Sequence, residues 1–146
     1  SPLAEGLLQK HLSDNGIKAI VDSAGTGNWH SGESPDHRSV KVAASNGLDI
    51  SKQRARQIKL DDFDEFDLIF TMDDSVQRDV RKLVTNNDHL NKIHLLRIFA
   101  GHTESLVPDP YYEGKEAFEH VYDLLDHSCK LAASRIIESY GNNKKP

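Results

Sequence analysis

At 146 residues, 37% hydrophobic and 28% charged, the chain has the composition of one folded domain large enough to bury a core. A net charge of −5 argues against an extended basic surface for nucleic acid. No apolar run approaches the roughly 18 residues that span a membrane, and there is no signal-like start.

Cys129 is the single cysteine, so neither an intrachain disulfide nor a cysteine metal cluster can form, which points to a reducing compartment, the cytoplasm. Ser1-Pro2 opens a predicted helix through about Asn15, with Leu3, Leu7, Leu8 and Leu12 on one face. Serine is a strong N-cap and proline suits the first helical position. Gly16 ends that helix, and residues 18–23 read as a strand. A Gly/Ser/Thr-rich loop follows over 24–35 and carries Trp29, the only tryptophan. That ring is either a core plug or an exposed face at a binding site. Residues 36–46 read as a helix capped by Ser34 or Asp36 and stopped by Gly47.

Residues 48–59 form a polar connection whose Lys52, Arg54, Arg56 and Lys59 are either a solvated run or an anion attractor. The acidic stretch 61–67 lacks the glycine of a calcium loop. Phe63 and Phe66 are expected to plug the core edge there while the acids face water. Asp67 to Met72 is the clearest buried strand, nearly continuous in apolar character. Asp73 caps a helix to about Val84, residues 93–99 read as a third strand, and a last helix spans about 115–140. Its apolar stripe includes Phe118, Val121, Leu125 and Cys129, which makes Cys129 a small core residue with a raised pKa. The tail, 141–146, is expected to fray. The alternation α-β-α-β-α-β-α over one domain, 1–140, predicts an α/β fold: a parallel sheet with helices on both faces.

Between the last strand and the last helix stands Val107-Pro108-Asp109-Pro110-Tyr111-Tyr112. Two prolines hold one carboxylate on a stiff non-helical loop, either as a plain turn or as a proton donor at a fixed point. The eight histidines form no zinc motif and no nucleotide phosphate loop appears, so neither a metal nor a nucleotide is expected.

Several ordered segments then add up. Ser1-Pro2-Leu3-Ala4-Glu5, Val21-Asp22-Ser23-Ala24-Gly25-Thr26, Gly47-Leu48-Asp49-Ile50-Ser51 and Arg54-Ala55-Arg56-Gln57 come first. Asp62 to Asp73 and Pro108-Asp109-Pro110-Tyr111-Tyr112 complete the set. In this order the sequence resembles the low-molecular-weight protein tyrosine phosphatases, out to about Asp126. The resemblance implies a three-layer fold with a four-stranded parallel sheet in the order 2-1-3-4. It also implies a monomeric thiol phosphatase that needs no cofactor or metal and acts on phosphotyrosine proteins or small aryl phosphates, apart from nucleic acid and membranes.

In the family, a Cys-x5-Arg phosphate loop follows the first strand and ends just before Ser-Pro, so strand 1, the nucleophile and the arginine are expected upstream of Ser1. Without that strand, residues 18–23 and 67–72 would leave two rows of backbone groups unpaired at about 1–3 kcal/mol each, more than a typical domain's ~5–15 kcal/mol. By the same resemblance Asp109 is the general acid/base, Ser1 donates to the thiolate, Ser23 supports the loop, and Trp29, Tyr111 and Tyr112 line the substrate pocket. Gln53 departs from a histidine common in the family. Two alternatives stay open: an arginine phosphatase on the same fold, or a binding module if the native chain starts at Ser1.

Overall fold

The computed structural model describes residues 2–27, 31–103 and 114–140. Helix α1 (Pro2–Asp14) buries Leu3, Ala4, Leu7, Leu8 and Leu12, the stripe expected from its i, i+4 spacing. It packs along α7 (Lys115–Tyr140), whose buried face runs from Ala117 through Leu125 and Cys129 to Ala133. His11 Nε2 and Asp126 Oδ1, 2.7 Å apart, tie the two helices at the edge of that contact. Helix α2 (His37–Ser45) also lies against α7. Its start is fixed by Asp36, whose side chain accepts from the Arg38 N–H. Arg38 then lays its guanidinium 4.6 Å from the centre of the Phe118 ring.

Strands β1 (Ile69–Thr71) and β2 (Ile93–Leu95) pair in parallel, with Ile69 opposite Ile93 and Thr71 opposite Leu95. Alternation sorts the side chains of this ribbon onto two faces. Leu68, Phe70 and Met72 join the α1–α7 core, whereas Ile69 joins a second cluster with Phe63, Val80 and Ile93. The second cluster is closed by α3 (Asp62–Glu65), α4 (Asp74–Arg81) and α5 (Asn87–Leu90). Asp73 caps α4 as expected, accepting from Val76 N at 2.8 Å. Helices therefore cover both faces of a parallel ribbon. The short helices α3 and α5 carry too few residues to show a period.

Three expectations need correction. Residues 93–99 do not form one strand: after Leu95 the chain turns into α6 (Leu96–Phe99). Apolar runs of this length suit either state, and here Leu96 and Phe99 reach the α1–α7 core only from a helical turn. Residues 18–23 alternate as a strand does, with Ala19, Val21 and Ser23 half-buried and Lys18, Ile20 and Asp22 exposed. They have no ladder with other described residues, however, and the nearest pairing is a parallel bridge of Gly25 to Gln57. The acidic stretch does not wholly face water either, because Asp62 is buried. Phe63 is fully buried as expected, but Phe66 is only half-buried.

Gly6 sits where α1 meets the 48–50 segment, and a Cβ there would lie 2.7 Å from Ile50 Cγ2. Ile50 is itself 1% exposed and has no room to turn. Gly6→Val is expected to destabilise the fold by about 2 kcal/mol, read as a lower urea midpoint at an unchanged m-value.

Candidate active site

The amino end of α1 opens into a cavity of about 410 Å³. Pro2 lines it, together with the segment Ser23–Gly27, Ser34, Pro35 and residues 53–56. A helix amino end presents unbonded N–H groups and a positive partial charge, which suits an anion.

The walls are laced together by backbone bonds. Gly25 N donates to Arg56 O at 2.9 Å, Ile58 N to Gly25 O at 2.8 Å, Ala55 N to Glu33 O at 2.9 Å and Gly32 N to Ala55 O at 2.7 Å. Residues 55–58 are thus bonded to the glycine-rich loop along their length. Gln57 Nε2 adds a bond to Thr26 O at 3.1 Å.

Ser23 reaches the helix from the neighbouring segment: its Oγ donates to Glu5 Oε1 at 2.8 Å. Burial, helped by Asp22, pushes the Glu5 carboxyl above its ordinary value, against the Ser23 bonds that lower it. Gln53 Nε2 donates to Pro2 O at 3.1 Å, while its Oε1 is buried with no hydrogen-bond partner among the described residues. The residue that departs from the family's histidine therefore still reaches the start of α1.

Arg56 is the strut of this wall. Its Nε donates to Asp22 Oδ2 at 3.0 Å, and Nη1 and Nη2 grip the two oxygens of Asp62 at 2.9 and 3.1 Å. Asp62 Oδ2 also accepts from Lys59 N at 2.9 Å. Burial raises the Asp62 pKa, but the guanidinium and that N–H outweigh it and hold the carboxyl below its usual range. No spacing rule reveals a partnership between residues 22, 56 and 62. Only the fold brings them together.

Of the residues expected to act, Ser23 lies at the cavity wall. Ser1, Trp29, Asp109, Tyr111 and Tyr112 lie outside the described residues. Cys129 is far from reactive: it is fully buried, its Sγ lies 3.7 Å from Ala4 O, and burial first, then Asp126, pushes the thiol up to about 12. It packs the α1–α7 contact. Among the described residues no group of three or more His, Cys, Asp or Glu is placed to hold a metal, and no helix is long and apolar enough to cross a membrane.

A parallel ribbon covered by helices on both faces, with a cleft at the amino end of α1 lined in part by Ser23, Thr26, Gln53 and Arg54, defines an α/β protein with a site suited to an oxyanion. The family model described as low molecular weight phosphotyrosine protein phosphatase matches residues 1–140. The chain is 36% identical over 139 residues to the low molecular weight phosphotyrosine protein phosphatase of Schizosaccharomyces pombe, covering 92% of this chain and 88% of that one. It is equally 36% identical over 143 residues to the low molecular weight protein-tyrosine-phosphatase of Streptomyces coelicolor, at 92% and 86% coverage. A crystal structure of a protein tyrosine phosphatase from Entamoeba histolytica matches with a TM-score of 0.86 at 32% identity, over 95% of this chain and 90% of that one. The chain belongs to the low-molecular-weight phosphotyrosine protein phosphatase family.

Proposed function

We propose that the full-length protein hydrolyses phosphotyrosine in proteins through a cysteinyl-phosphate intermediate, within a single domain over 1–140 whose complete sheet has the order 2-1-3-4. The observation that carries this reading is the cleft at the amino end of α1, walled by Ser23 and Gln53, in a chain of this family. By the family resemblance the nucleophilic cysteine would stand just upstream of Ser1; Cys129 is fully buried in the α1–α7 contact. A thiolate at the amino end of a helix is favoured by its dipole and by its N–H groups. The Ser1 hydroxyl would donate to it, and Ser23 would brace the loop against Glu5. Such a nucleophile needs the reducing conditions of the cytoplasm.

In the first step the thiolate attacks phosphorus and the bond to the phenolic oxygen breaks, with the Asp109 carboxyl giving that oxygen its proton. In the second step Asp109, now a carboxylate, takes a proton from water as the water oxygen attacks phosphorus. Inorganic phosphate leaves and the thiolate is restored. Trp29, Tyr111 and Tyr112 would stack on the substrate ring and make the cleft too deep for phosphoserine. Phosphate release from phosphotyrosine, phosphoserine and phosphoarginine peptides at pH 5–6 tests the reading. Release from phosphotyrosine alone is expected. Release from phosphoarginine alone would move the assignment to an arginine phosphatase, and no release at all would leave a binding module.

A further inference from the structure

The cavity wall carries two arginines, Arg54 and Arg56, and among the described residues only Arg56 has its donors committed to carboxylates. Arg56 gives all three guanidinium nitrogens to Asp22 and Asp62. Arg54 is exposed, and its Nη1 donates to Ser51 O at 2.8 Å and Gln53 O at 2.7 Å. Among the described residues it has no ion-pair partner.

A guanidinium carries five N–H donors in a rigid plane. Two carbonyl bonds take up both donors of Nη1, and among the described residues the Nε–Nη2 edge has no partner. That edge holds two parallel donors spaced to match the two oxygens of a carboxylate. Because Nη1 is bonded to the carbonyls of its own loop, the edge is oriented before anything binds, and less freedom is lost on binding.

We infer that Arg54 is a specificity-determining residue, binding the side-chain carboxylate of an Asp or Glu that flanks the phosphotyrosine in a substrate peptide. The inference rests on the phosphatase reading above. The rival source of the same chemistry is the phosphate being removed. Two observations favour the flanking carboxylate. Gln53, not Arg54, reaches Pro2 at the amino end of α1, where the reacting phosphate is assigned, and Arg54 is exposed, within reach of chain outside the cleft.

The test uses the full-length protein and Arg54→Gln with three substrates: a phosphotyrosine peptide flanked by Glu, the same peptide flanked by Gln, and p-nitrophenyl phosphate. An exposed bidentate charge pair is modest in strength. Arg54→Gln is therefore expected to raise KM for the Glu peptide about fivefold to tenfold, with kcat there and both constants for the other substrates within twofold. Equal loss on p-nitrophenyl phosphate would overturn the inference and assign Arg54 to the reacting phosphate. No loss on any substrate would reduce it to a loop staple. Calorimetric binding of non-hydrolysable phosphonate versions of the two peptides needs no turnover. An inactive parent would thus count against the phosphatase reading, while the Glu-over-Gln preference and its loss in Arg54→Gln would still decide the role of Arg54.

Discussion

Asp109→Asn in the full-length enzyme is expected to lower kcat for phenyl phosphate and phosphotyrosine by about 10²–10⁴. The reason is the leaving group. A tyrosine phenolate has a conjugate acid of pKa about 10, so it departs poorly unless a proton arrives as the bond to phosphorus breaks. Asparagine keeps the shape of the side chain and cannot deliver that proton. The loss corresponds to about 3–5 kcal/mol of transition-state stabilisation. A more acidic leaving group should need the donor less, so p-nitrophenyl phosphate is expected to suffer less than phenyl phosphate. Stopped-flow measurement of phosphorylation for both substrates checks this. Equal rates for parent and variant on phenyl phosphate would remove Asp109 from the acid role.

The largest expected effect on stability comes from Arg56→Met. Asp62 is 4% exposed, and the substitution leaves its carboxylate with Lys59 N as its remaining partner. Removing one member of a buried pair typically costs about 3–5 kcal/mol. The partial exposure of Arg56 puts the expectation at about 3 kcal/mol, a fall in Tm of roughly 10 °C for a domain of this size. Arg56→Met/Asp62→Leu should recover most of the loss, because the unpaired charge is then gone.

The pH dependence has a definite sign. The Asp62 pKa is lowered by folding, so its contribution is present above the unfolded value near 4. It is lost as pH falls through the lower folded value. The gap between parent and Arg56→Met should therefore be widest near neutral pH and narrow below about pH 4. Urea titrations at pH 7 and pH 3 measure it, and an equal gap at both would show that the pair acts by packing alone.

How far the fold could be read in advance followed from how local each signal was. The stripe of α1, the Asp73 cap of α4 and the full span of α7 all lie in neighbouring residues, whose spacing fixes which side chains share a face. The break at Leu95 was not legible, because a seven-residue stretch with five apolar side chains fits a strand or a helical turn equally well. The decision lay with the α1–α7 core that Leu96 and Phe99 enter. The buried position of Asp62 was hidden among its acidic neighbours, because its partner, Arg56, sits in a run that sequence alone leaves as either solvated or anion-attracting.

By itself the sequence determined the α/β class, the long helices α1 and α7, the core role of Cys129 and the ordered segments that carry the family. Each depends on residue type and short spacing, which survive without coordinates. Only the tertiary structure decided how the cleft is walled. Ser23 meets Glu5, Gln53 meets Pro2, and Arg56 joins Asp22 to Asp62. Several of these contacts span tens of residues, and chain closure, not local propensity, sets which distant groups can meet. The same geometry separates the two arginines of the wall, Arg56 held by Asp22 and Asp62 and Arg54 bonded through Nη1 to the carbonyls of its own loop.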